Sequence, residues 1–207
     1  MQYNQNSRPD SQQTTNDLQD LDTFSPKSRE EWRDWLHQHH DKKMSVWLIY
    51  FKAKSGKPTV TYSDAVDEAL CFGWIDSKAK PIDADSYMQF FSRRKERSIW
   101  SRVNKEKVAR LIADGRMSQA GLAIIDIAKR NGSWTILDDA EALVIPDDLD
   151  AAFVSRPGSR VFFEGLSRTD KRNILQWLIL AKRAETRAKR IEAIVENAGM
   201  GKKPKLF

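Results

Sequence analysis

Three carboxylates and a thiol fall on one helical face between Thr61 and Gly73. Asp64, Asp67, Glu68 and Cys71 follow the i, i+3, i+4, i+7 spacing, so a helix there presents them side by side. Asp64 and Glu68, one turn apart, are the pattern that acid–base chemistry or cation binding needs, and a neighbouring thiol invites nucleophilic catalysis. The position of the thiol opposes that chemistry. Cys71 lies in the last turn, at the negative end of the helix dipole, with Asp67 and Glu68 one turn back, and both effects keep it protonated. Acids in a first turn also stabilise their own helix without further role. Together with Trp74 and Asp76 just beyond the helix, Asp64, Glu68 and Cys71 define one possible ligand pocket.

A second group carries the opposite charge. Arg93, Arg94, Lys95 and Arg97 crowd a polar stretch bracketed by Phe90, Phe91 and Trp100, and Ser98 or Ser101 can cap a helix that follows. Cations beside free helix N–H groups attract an anion, and the aromatic residues add stacking surface for a base. The anion-binding set expected here is Arg93, Arg94, Lys95, Arg97, Ser98 and Trp100. The plainer alternative is a solvated charge run, with Trp74 and Trp100 in the core. His37, His39, His40 and Asp41 resemble metal ligands by type, yet they stand where a helix frays and no nearby Cys or Glu completes a set, so no metal is expected. Phosphate-loop, dinucleotide, zinc-protease and nucleophile-elbow motifs are all absent, which weighs against an enzyme without excluding one; the alternative function is a small-molecule enzyme or ligand-binding protein with its pocket on Asp64, Glu68, Cys71, Trp74 and Asp76, and no cofactor is expected.

These groups need elements to hold them. Thr61 or Ser63 caps the acidic helix and Gly73 stops it, after which Trp74–Lys78 alternates as a strand. Ser45–Lys52 is an apolar β run, Thr59–Thr61 a short partner, and Ser86–Phe91 a further strand. A helix precedes them, opened by Ser25-Pro26 and carrying Trp32, Trp35 and Leu36 inward to about His40. From Ser98 or Ser101 onward the pattern is helical, with stops at Gly115 and Asn131-Gly132, short helices near Asp138 and Asp147, and long ones from Ser167 and Glu185. Arg156-Pro157-Gly158-Ser159 is the best linker. The expected fold is α+β: a small mixed or antiparallel sheet with flanking helices, followed by an all-helical C-terminal portion.

Tyr62-Ser63-Asp64-Ala65, Cys71 to Ser77, Phe91 to Lys95 and Ser98 to Asn104 resemble the bacteriocin-protection, YdeI/OmpD-associated family. Lys182-Arg183-Ala184-Glu185-Thr186-Arg187 extends the resemblance, which runs from about Glu30 to Lys203. Arg94 departs from it, standing where the family pattern has proline. The resemblance implies a role in bacterial tolerance of bacteriocins or antimicrobial peptides and supplies no catalytic residues.

The chain has 207 residues and a formal charge of +6. Eleven Lys and Arg against four Asp and Glu lie between Ser167 and Phe207, so the whole surplus sits there. Such asymmetry points to an anionic macromolecule or acidic protein surface as partner, or to a solvated helix face. One cysteine permits no internal disulfide, and no apolar run is long enough to span a bilayer. A disordered polar tail is expected over residues 1–24, an α+β domain over 25–155 and a basic helical portion over 156–207. The function expected is that of a non-enzymatic, cytoplasmic stress-tolerance protein binding an anionic partner through the basic loop and the C-terminal helices.

Overall fold

The structure, a computed structural model, describes residues 22–206. The expected polar tail therefore lies outside the described residues except for Asp22–Phe24. Two compact units divide the chain. The first comprises the residues up to Ser98 with Glu106–Ala128, and the second Ile99–Lys105 with the residues from Lys129 onward.

In the first unit, strands β1 (Thr23–Phe24), β2 (Ser45–Phe51), β3 (Trp74–Pro81) and β4 (Ser86–Arg93) form a sheet in the order β1-β2-β4-β3. β1 runs parallel to β2 and the other pairs are antiparallel, so the sheet is mixed. β2 reads as an apolar run because it is central, with Val46, Trp47, Leu48 and Tyr50 buried. Helix α1 (Arg29–His39) lays Trp32 and Leu36 on this sheet: the indole N–H of Trp32 donates to the Ala65 carbonyl at 3.0 Å and its ring meets Phe91 edge-on. The cap of α1 is Ser28, which accepts from the Glu31 N–H, rather than Ser25. Thr59–Thr61 is not a strand. Its β-branched residues are held instead by single contacts, the Val60 N–H donating to the Pro26 carbonyl and the Thr59 hydroxyl accepting from the Phe51 N–H.

Helix α2 (Tyr62–Cys71) is the acidic helix. Thr61 caps it by accepting from the Asp64 N–H, and Gly73 ends it at φ +74°. A Cβ on Gly73 would also meet Ile124 Cγ2 at 3.1 Å and the Ala120 carbonyl oxygen at 3.3 Å. Gly73→Val is expected to cost about 1–3 kcal/mol through backbone strain. Urea melting of the variant checks this, and an unchanged midpoint would refute the assignment of Gly73 as helix stop.

Helix α3 (Arg102–Ala113) starts in the second unit and ends in the first, and α4 (Gln119–Arg130) follows it. Ser101 caps α3 by accepting from the Asn104 N–H, whereas Ser98 closes a turn with Lys95 in both directions. The second unit is helical throughout: α5 (Asp138–Glu141), α6 (Asp147–Val154), α7 (Ser159–Gly165), α8 (Arg168–Ile179) and α9 (Ala184–Gly199). Leu149, Phe153, Phe163, Ile174, Leu175, Leu178, Ile194 and Val195 share its core. The stretch Arg156–Ser159 lies inside this unit as the tight connection between α6 and α7, with Gly158 at φ +85°.

Candidate functional site

The carboxylates of α2 are consumed by arginine. Glu68 is fully buried and accepts from Arg29 Nε, Arg33 Nη1 and Arg116 Nη2, each at 2.5 Å. Asp67, nearly as buried, pairs with Lys107 at 2.5 Å and with Arg110. Asp64 accepts from Arg29 Nη1 at 2.8 Å and from the Thr61 hydroxyl. Five cations thus surround three carboxylates, which is the arrangement a buried charge requires to be tolerated. Asp64 and Asp67 line a polar cleft of about 320 Å³ with Arg29, Arg110 and Arg116. Glu68, its charge shared among three guanidinium groups, is poorly placed for proton transfer.

The rest of the pocket expected on Asp64, Glu68, Cys71, Trp74 and Asp76 is dispersed. Cys71 is fully buried, and burial pushes its thiol up, with the Glu68 carboxylate adding to the effect and Arg33 opposing it. Native Cys71 should accordingly react with iodoacetamide at pH 7 at least about 100-fold more slowly than in urea, because access requires local opening. Fast labelling of the folded protein would overturn this. Trp74 is fully buried as well, edge-on to Trp35, with its N–H donating to the His40 carbonyl at 3.3 Å. Asp76 accepts from the Tyr62 hydroxyl at 2.7 Å and from Gln89 Nε2 at 3.1 Å.

The basic set separates into three places. Arg93 and Arg94 sit at the end of β4, where Arg93 pairs with Trp74 across the sheet and the Arg94 N–H donates to the Gly73 carbonyl. Lys95 and Arg97 are exposed on the turn that Ser98 closes. Trp100 is buried in the second unit against Trp134, 4.9 Å between ring centroids, so it is a core residue there.

Arg93 and Arg94 line a cleft of about 210 Å³ with His40, Asp41, Phe72, Gly73, Trp74, Ala120 and Ile124. Arg93 Nε donates to the Lys43 carbonyl at 2.7 Å, which fixes the guanidinium and leaves its two terminal nitrogens without a hydrogen bond among the described residues. Arg94 is only 7% exposed; burial pulls its guanidinium down to about 10, with Asp76 opposing the fall, so it stays cationic at neutral pH. His40 keeps Nδ1 on the Leu36 carbonyl and its ring on Phe72, while His37 also meets Phe72 and His39 meets Trp35. Two arginines that outnumber the single Asp41 carboxylate, in a lining shared with Phe72, Trp74 and Ile124, suit a small anionic group with an apolar body. Phe72, Ala120 and Ile124 carry no chemical signal in the sequence. The i, i+4 spacing of Ala120 and Ile124 after the Ser118 cap is what marks one face of α4, and only the fold brings that face to Gly73.

The C-terminal cations are largely occupied. Arg187 grips Asp148 with Nε and Nη2 at 2.5 and 2.8 Å, holding that carboxyl below its usual range, and Lys189 and Lys203 pair with Glu185 and Asp170. Arg168, Lys171 and Arg190 donate to the carbonyls of Glu141, Glu164 and Trp177. Lys182, Arg183, Lys202 and Lys205 are exposed and make no ion pair among the described residues. No described helix is long and apolar enough to cross a membrane.

Comparison with known proteins divides the chain in a similar way. Residues 24–124 match the model of a domain of unknown function (DUF8412), and this region contains the cleft and all the motifs between Tyr62 and Asn104. No curated protein and no solved structure matches the chain. Through residues 142–201 the chain matches the bacteriocin-protection, YdeI or OmpD-associated family, the one its sequence resembles.

Proposed function

We propose that this is a non-enzymatic, cytoplasmic protein of bacterial tolerance to bacteriocins or antimicrobial peptides, and that it works by holding an anionic partner in the cleft at the end of β4. One observation carries the reading: Arg93, with two terminal nitrogens free of hydrogen bonds among the described residues, and the buried Arg94 line one cleft together with Phe72, Trp74 and Ile124. Preformed charge-assisted donors in a partly dry site bind anions more strongly than exposed lysines do. Lys95 and Arg97 on the adjoining turn supply a diffuse attractive field. The non-enzymatic part rests on α2, whose carboxylates are committed to arginine and whose thiol is pushed up by burial.

Calorimetric titration with pyrophosphate tests this. Arg93→Gln should weaken binding about 10- to 100-fold, the worth of hydrogen bonds to a charged group. Replacing Lys95 and Arg97 by Ser should weaken it less, and mainly at low salt. The absence of binding to the native protein at low salt, or identical affinity for Arg93→Gln, would overturn the proposal.

A further inference from the structure

The helices of the first unit cover one face of the sheet. Trp32 meets Phe91, Trp35 meets Trp74, and Lys107, Arg110 and Gly121 dock on α2. The opposite face carries Trp47, Ile49 and Phe51 from β2 with Met88 and Phe90 from β4, aligned by the pairs Trp47↔Phe90 and Ile49↔Met88. Trp47 and Phe90 touch edge to face, 5.0 Å between centroids. Three lysines lie over these rings. Lys78 Nζ is 5.6 Å from the centroids of both Trp47 and Phe90, Lys80 Nζ is 5.2 Å from Trp47, and Lys57 Nζ is 4.9 Å from Phe51.

Lys78 and Lys80 both reach Trp47 because they are two residues apart on edge strand β3, next to the irregularity between Asp76 and Ala79. All three lysines are exposed and none forms a close ion pair among the described residues, although Lys57 lies near enough to Asp83 to help hold that carboxyl below its usual range. The nearby acids are already engaged. Asp85 pairs with Lys54 at 3.4 Å, and Asp83 accepts from the Asp85 and Ser86 N–H groups and the Ser86 hydroxyl. The face is therefore aromatic and positively charged, with Phe51 and Phe90 half-buried and Trp47 only 5% exposed beneath the lysines that sit on its ring.

From this placement we propose that this lysine-topped face of the sheet binds single-stranded nucleic acid. Phosphates would draw Lys57, Lys78 and Lys80 off the rings, and unpaired bases would stack on Phe90, Trp47 and Phe51 in their place. Duplexes fit poorly, because their bases are already stacked and offer no face to the rings. The proposal is independent of the cleft at the end of β4.

The test is fluorescence anisotropy with a labelled oligothymidylate and a duplex of equal length, starting at about 50 mM salt, where phosphate contacts are strongest. The single strand should bind more tightly than the duplex. Phe90→Leu should weaken it about 5- to 100-fold with the salt slope unchanged, as lost stacking does. Lys78→Gln with Lys80→Gln should flatten the slope of log affinity against log salt by about 1.4, roughly 0.7 per phosphate contact. The two glutamines are surface changes, so this pair stays informative even if Phe90→Leu unfolds. Excess pyrophosphate at constant ionic strength should leave the oligonucleotide bound. Absence of binding, preference for duplex, unchanged affinity in the lysine variant, release by stoichiometric pyrophosphate, or equal binding to phosphatidylserine vesicles would each overturn the proposal.

Discussion

Replacing Glu68 by Ala should destabilise the protein by about 3–5 kcal/mol, the cost of stripping one partner from a buried charge cluster. Glu68 has no exposed surface, and three guanidinium groups from Arg29, Arg33 and Arg116 converge on its two oxygens. Without it those cations repel one another and lose their charge-assisted hydrogen bonds, although each can reach partly toward water because it is 24–35% exposed. Glu68→Gln keeps the shape and should still fall within about 1 kcal/mol of the alanine variant, since it is the charge that matters. Urea denaturation with unchanged slope reads the loss directly. A change of less than about 1 kcal/mol in Glu68→Ala would mean the cluster is not formed in solution.

The second large effect is expected from the smallest possible change, Gly121→Ala. Gly121 is inside α4, where alanine would ordinarily stabilise a helix by about 1 kcal/mol. A Cβ there would stand 2.2 Å from the Cys71 carbonyl oxygen and 2.8 Å from Met117 Cε. Met117 can swing away, but the carbonyl is pinned by the Ser118 N–H at 3.0 Å and the Ser118 hydroxyl at 2.7 Å. The clash must therefore separate α4 from the end of α2, and overpacking of this kind costs about 3 kcal/mol net. Thermal melting decides the sign: a stabilised Gly121→Ala would show that propensity wins and that the helices are not in contact.

The acidic helix was legible because its signals are local. A cap at Thr61, acids at Asp64 and Asp67, and a stop at Gly73 lie within one stretch, and the structure reproduces each. The partners of those acids were not legible. Arg29 and Arg33 stand 35–39 residues earlier and Arg116 stands 48 residues later than Glu68 or Asp64, and spacing along a chain says nothing about which distant stripes meet. A faint trace exists in the i, i+4 pair Arg29 and Arg33 and the i, i+3 pair Lys107 and Arg110, each matching the acidic face in period.

The run from Ser92 to Ser98 shows how composition misleads at a strand end. Its charge marks a loop or strand end, and β4 does end there at Arg93, yet Arg94 is buried rather than solvated, because hydrogen bonds from the two N–H groups to Met44 and Gly73 carry the chain inward. Thr23 and Phe24 went unnoticed for the opposite reason. Two residues carry no periodicity, and Phe24 is held by tertiary contact with Trp32 and Trp35. Trp100 reads as an anion-site aromatic from its neighbours in sequence, while its packing partner, Trp134, is 34 residues away.

The central claim is that an anion sits between Arg93 and Arg94 in the cleft at the end of β4. Its most direct test is backbone amide mapping of the isotope-labelled protein during titration with pyrophosphate. Binding there predicts saturable shifts at Phe72, Gly73, Trp74, Arg93 and Arg94 and at the Ala120–Ile124 face of α4, with the C-terminal helices largely unmoved. Shifts confined to Lys182, Arg183 and the Lys202–Lys205 tail, or weak linear drifts over all exposed cations, would contradict it.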